Sequence, residues 1–186
     1  MSGLSTANAI VFDLHGEYAP LTGPGIQHFK VAGPGDVEAQ RTISDGVLYL
    51  PYWLLSYEAL VSMFVDRSDQ NAPNQAMIMA REINQAKRKY LEENNQQDLL
   101  KHFTVDSPVP FDLDFLMSRL NEINIEMVPG SRGDKQGDFF GKLARMISRL
   151  ENKISDRRLG FMFNGGGDVL DFTWLEKFAS AALGST

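Results

Sequence analysis

The residues that concentrate the most chemistry in the least chain are Asp13-Leu14-His15-Gly16-Glu17-Tyr18. If the backbone stays extended through them, Asp13, His15 and Glu17 project to one side, because side chains alternate along a strand. That arrangement would offer acid/base chemistry or hard ligands for a divalent cation. Gly16 favours a turn instead, and a strand-ending acid followed by ordinary turn residues is the structural alternative. Just ahead stands the apolar run Ala9-Ile10-Val11-Phe12, so the pattern predicts a buried strand over 9–13. Its carboxyl end is where open α/β sheets place their ligands.

A second group of candidates is basic. Between Arg132 and Arg158 eight cations (Arg132, Lys135, Lys142, Arg145, Arg149, Lys153, Arg157 and Arg158) stand against Asp134, Asp138, Glu151 and Asp156, in a chain whose net charge is −6. Lys142, Arg145, Arg149 and Lys153 share one face of a helix, which leaves three uses open: phosphate attraction, pairing with an acidic neighbour, or a solvated surface. Lys87-Arg88-Lys89 reads as a solvated run, since consecutive residues point in different directions around a helix. A phosphate-cradling loop is not found. Gly141-Lys142 is followed by Leu143 in place of Ser or Thr, and Gly165-Gly166-Gly167 has no lysine and reads as a turn. His28 and His102 stand without a second ligand at metal-binding spacing.

Composition narrows the classes further. The 186 residues are 43% hydrophobic and 23% charged, the profile of one soluble globular domain. The acidic balance excludes a chain-wide basic footprint for nucleic acid, and with no cysteine there is no disulfide, thiolate metal site or cysteine nucleophile. The amino terminus lacks a basic secretory n-region, and no apolar stretch approaches the ~20 residues of a membrane span, so the expected setting is cytoplasmic, without membrane contact. A chain that enters almost directly on a strand is expected to be a segment of something larger.

The elements that must position these residues follow from pattern. Short strands are predicted at 27–31 and 47–50, the latter stopped by Pro51, with loop around them from 21 to 46. Ser56 caps a helix over 57–66, a longer helix runs from Asn71 to Asn94 with Pro73 in its first turn, and a short one passes through Leu99 and Leu100. Pro108 and Pro110 hold 106–110 extended. Asp112 caps a helix carrying Leu113, Leu116, Leu120 and Ile123, a polar loop spans 130–136, and Phe140, Leu143, Ile147, Leu150 and Ile154 form the seam of a helix packed lengthwise on others. A strand over 159–163, a turn over 164–168 and a last helix from Asp171 to a stop at Gly184 complete the chain. The expected class is α/β and predominantly helical, with the first and last strands in one sheet and a helical bundle inserted between them.

The stretch Ile10-Val11-Phe12-Asp13-Leu14-His15-Gly16-Glu17-Tyr18 resembles the HerA-like family of hexameric ATPases and DNA translocases, in which an apolar strand is followed by Asp-x-His-Gly-Glu-Tyr. The similarity extends through Leu48-Tyr49-Leu50-Pro51-Tyr52-Trp53 and Asp156-Arg157-Arg158-Leu159-Gly160-Phe161-Met162-Phe163. The resemblance implies a partial RecA-like core: strand and loop over 1–55, a helical insertion over 56–156, and a returning strand and helix over 157–186. It places the P-loop upstream and the Walker B acids downstream, and this sequence contains neither. It implies ATP and Mg²⁺ for the full-length parent and none for this chain alone, which would be inactive by itself. Asp13, His15 and Glu17 would border the nucleotide or its Mg²⁺ in an accessory role. DNA, a hexameric ring and a nuclease would be the parent's partners, with Arg145, Arg149, Lys153, Arg157 and Arg158 facing DNA or a neighbouring subunit. Two alternatives stay open: a metal-dependent hydrolase ligating through Asp13, His15 and Glu17, and a helical protein-interaction module.

Overall fold

The computed structural model of the chain describes residues 9–165 and 167–183. About half of it is helical, and its strands are short and lie in small sheets, so the class is α/β with helices predominating. β1 (Lys30–Val31) and β2 (Val47–Leu48) pair in parallel, Lys30 opposite Val47 and Val31 opposite Leu48. The crossover between them carries α1 (Pro34–Glu38), and the largely buried Asp36 ties it down. The Asp36 carboxylate accepts both its oxygens' bonds from Lys30 Nζ (2.8 and 2.9 Å), one from Arg41 (3.3 Å) and one from the Gly33 N–H (3.0 Å). The hydrogen bond from Lys30, then the Gly33 N–H and the two cations, hold this carboxyl below its ordinary range.

The helical part begins at α2 (Tyr57–Phe64), where Ser56 Oγ accepts the Ala59 N–H at 3.2 Å, as its cap position predicts. α3 (Ala72–Glu93) takes Pro73 in its first turn and closes through Asn95 at φ 56°, a left-handed residue that lets the Gln96 N–H reach the Leu91 carbonyl at 2.8 Å. After α4 (Gln97–Leu100) the extended strap across Pro108 and Pro110 leads to Asp112, whose carboxylate accepts the Asp114 and Phe115 N–H groups and opens α5 (Leu113–Asn124). β3 (Met127–Val128) and β4 (Lys135–Gln136) form an antiparallel hairpin before α6 (Ala144–Ile154). The core gathers Leu60, Ile78, Met79, Leu120, Leu143, Met146 and Leu150 between α2, α3, α5 and α6, and Trp53 is fully buried in the same cluster with its indole N–H donating to the Val169 carbonyl at 2.9 Å.

Several expectations are corrected. Residues 9–13 form no strand. They are exposed, and among the described residues no strand runs beside them to take up their N–H and C=O groups, without which strand geometry is not held. The strand expected at 159–163 is helical: a 3₁₀ turn (Arg157–Leu159) continues into α7 (Gly160–Phe163). Asp156 causes this, since its carboxylate accepts the Arg158 N–H at 2.9 Å and starts the turn, while Met162 and Phe163 are buried by one helical step without needing a ladder. A short apolar run carries no period that separates the two outcomes. The expected pairing of first and last strands is therefore not formed, although the returning segment does reach the second strand's extension through Leu50 N–H to the Phe161 carbonyl (3.1 Å).

Smaller shifts follow from local chemistry. The strands at 27–31 and 47–50 shrink to two residues each, the polar loop at 130–136 supplies one side of the hairpin, and the seam helix starts at Ala144 because Gly141, at φ 73°, turns the chain just before it. A last helix, α8 (Thr173–Leu183), follows Asp171, whose carboxylate accepts the Thr173 N–H at 2.6 Å. The expected stop at Gly184, Gly166 of the predicted turn, and residues 1–8 lie outside the described residues.

Candidate functional site

Asp13 organises the loop that the sequence singled out. Its carboxylate accepts the N–H groups of His15 (3.3 Å), Glu17 (3.1 Å) and Tyr18 (3.0 Å), so three amides of one turn converge on one side chain. Gly16 sits at φ 73°, in the left-handed region where glycine carries no steric cost. Loss of water around the carboxyl pushes its pKa up, and the N–H bonds from Tyr18, Glu17, His15 and Gly16 together override that, so Asp13 titrates below the ordinary carboxylate range. Downstream, the Leu21 carbonyl accepts from His28 Nε2 at 2.6 Å, fastening the loop's return.

His15 and Glu17 are exposed and do not converge with Asp13 on a common point. Among the described residues no group of three or more His, Asp or Glu side chains could hold a metal ion. The Asp13 oxygens are instead committed to backbone amides, which makes this residue a scaffold for the turn. Ile10, Val11, Phe12 and Leu14 beside it are 55%, 62%, 87% and 87% exposed.

The basic candidates fall into three settings. Arg145 and Arg149, one turn apart on α6, face Asp66 at 3.9 and 3.5 Å, and Arg145 also approaches Asp69 at 4.0 Å. Of the three uses open to this face, pairing with an acidic neighbour is therefore present. Arg157 pairs with Glu38 of α1, and Arg158 folds back on Asp156 at 2.7 Å, whose pKa its hydrogen bonds pull down to about 2. Lys153 lies near enough to that same acid to help lower it. No helix among the described residues is long and apolar enough to cross a membrane.

Sequence reasoning missed three buried polar groups of α3, and the run Lys87-Arg88-Lys89, expected to be solvated, is corrected at Lys87, which turns into the core while Arg88 stays exposed. Lys87 is fully buried, its ammonium donating to the carbonyls of Val105 (2.7 Å) and Ser107 (2.6 Å) in the strap, 5.8 Å from the centre of the Phe111 ring. Burial pulls its pKa down to about 8, against the opposing pull of Asp106. Glu82, also fully buried, is met by Arg81 at 2.7 Å and by Arg119 of α5 at 3.3 Å. Gln75 donates to Asp69 (3.2 Å) and to the Lys142 carbonyl (3.0 Å). The signal was there: Lys87 follows Met79 and Ile83 at steps of four, and Glu82 stands midway between Ile78 and Ala86, so both ride the apolar stripe. A cleft of about 1030 Å³ opens between residues 40–49 and α8, with Arg41, Thr42, Tyr49 and Trp174 among its walls.

Compared with known proteins, the chain matches the model of the family described as the central domain of the helicase HerA, over residues 3–172. No curated protein matches it.

Proposed function

The chain belongs to the family of the helicase HerA central domain, and from that premise we propose that it is the part of a HerA-like, ATP-hydrolysing DNA translocase or helicase that supplies the strand and loop beside the nucleotide site together with a helical insertion. The observation that carries this reading is the run Ile10, Val11, Phe12 and Leu14, exposed at 55–87% next to a turn already ordered by Asp13. A β-branched and aromatic run left in water forgoes about 1.5–3 kcal/mol for each side chain that could be buried. Adding it as a strand to an existing sheet would recover that burial and satisfy its backbone groups together. In this proposal residues 1–55 and 157–186 complete a RecA-like core, 56–156 is the insertion, and the parent acts as a hexamer on DNA in the cytoplasm, with a nuclease as a further partner.

The Asp13 turn does not fit a triphosphate by itself. The amides that would cradle phosphate are occupied by the Asp13 carboxylate, and the loop carries two acids and no lysine or arginine. Its exposed Glu17 carboxylate suits the Mg²⁺ side of a nucleotide and His15 would border the nucleotide beside it, both in accessory positions, and the central catalytic parts belong to the rest of the parent. The isolated chain is then expected to hydrolyse no ATP, while Asp13→Asn or Glu17→Gln in the full-length protein lowers DNA-stimulated hydrolysis about 10–100-fold, the usual effect of residues that support metal ligands. Turnover by the isolated chain, or full-length variants with unchanged rates, would refute the assignment.

A further inference from the structure

We propose that Asp66 masks the basic face of α6 against the phosphates of nucleic acid, so that DNA engages Arg145 and Arg149 only by displacing a carboxylate already seated there. The proposal rests on the reading of this chain as part of a DNA-handling protein. It adds a regulation of that contact which the family assignment does not contain.

The geometry favours a mask over an ordinary structural ion pair. Both arginines converge on Asp66, at 3.9 and 3.5 Å, and neither approach is close or bidentate. Exposed pairs of this kind are weak and exchangeable, and the Arg145 and Arg149 side chains are 63% and 40% exposed. The acid, by contrast, is fixed without them. Asp66 accepts the Ser68 hydroxyl at 2.7 Å and its N–H at 3.0 Å, and these two bonds come before either arginine among the causes that lower its pKa. Asp69 is fixed similarly by the Asn71 N–H at 2.8 Å and by Gln75. Two carboxylates held by hydrogen bonds of their own thus stand before half-exposed cations, and those bonds do not depend on the arginines. Lys153 continues this face one turn further along α6 and is in no salt bridge among the described residues, whereas Lys142, expected on the same face, lies in the turn ahead of the helix. An incoming phosphate backbone therefore meets three cations on α6, two of them countered in advance, and non-specific binding is suppressed until a correctly shaped duplex displaces the acid.

Asp66→Asn is the informative change, because the amide oxygen still accepts from Ser68 while the charge is gone. Binding of a labelled DNA duplex to the chain is measured by fluorescence anisotropy from low to moderate salt, for wild type, D66N, R145Q/R149Q and the triple variant, each checked for unchanged helicity by circular dichroism. D66N is expected to bind about fivefold more tightly, the scale of one or two exposed pairs released. The slope of log affinity against log salt should steepen by about one to two, and the gain should vanish in the triple variant. If D66N binds as wild type does while R145Q/R149Q binds more weakly, the mask is overturned and the DNA-facing reading survives. If the D66N gain persists undiminished in the triple variant, Arg145 and Arg149 are not the contact, and the mask falls together with that reading.

Discussion

Lys87→Met should flatten the alkaline stability profile of the chain. In the folded protein burial holds the Lys87 ammonium at a pKa of about 8, below the ordinary 10.5. Between those values the unfolded chain carries a proton that the folded chain has released, so stability rises with pH across that window. Below it both states are protonated, and the full penalty of a buried charge is present. At 1.36 kcal/mol per pH unit of difference the whole effect is about 3 kcal/mol, of which about 2 kcal/mol falls between pH 7 and 9.5. Staying below pH 10 matters, because burial raises the pKa of Tyr49, Tyr57 and Tyr90, and tyrosines ionising in the unfolded chain then pull stability down again. Urea unfolding of wild type and K87M at half-unit pH steps isolates the lysine as a difference between two curves. Lys87→Arg, charged throughout, should also lack the rise. Parallel curves for wild type and K87M would show that the ammonium is not desolvated as its contacts with Val105 and Ser107 require.

Two further changes test local reasoning. Gln40 closes α1 at φ 51° with an exposed side chain, so Gln40→Gly should stabilise the chain by about 0.5–1 kcal/mol in the same denaturation assay. Asp112→Ala removes the acceptor for two α5 amides and should cost about 1 kcal/mol, with Asp112→Asn restoring most of it.

How far the molecule was legible in its sequence depended on whether a signal was local. Ser56 and Asp112 announced helix starts because a cap bonds within three residues, and the stripe of α3 was readable because its period repeats over 22 residues. The runs 9–13 and 159–163 were not decidable this way. Their state is set by whether a partner strand lies alongside, and in the second case by Asp156, whose carboxylate begins a turn that no periodicity records. At the candidate site the crowding of Asp13, His15 and Glu17 was visible, but that Asp13 spends its oxygens on amides is a property of the folded turn. The basic face of α6 was visible too, and its opponents were not, since Asp66 and Asp69 lie about 80 residues earlier in the chain and meet it only through the packing of α2 on α6.

The indole bond from Trp53 to the Val169 carbonyl also sets a schedule for synthesis. Its two ends are 116 residues apart, and a ribosome adding about 5–20 residues per second leaves Trp53 without its acceptor for roughly 6–23 s. Tyr52, which stacks on Phe163, waits almost as long. The nascent chain therefore leaves two large adjacent aromatics without their final partners for many times the duration of helix formation, until the helices that carry Phe163 and Val169 emerge to cover them.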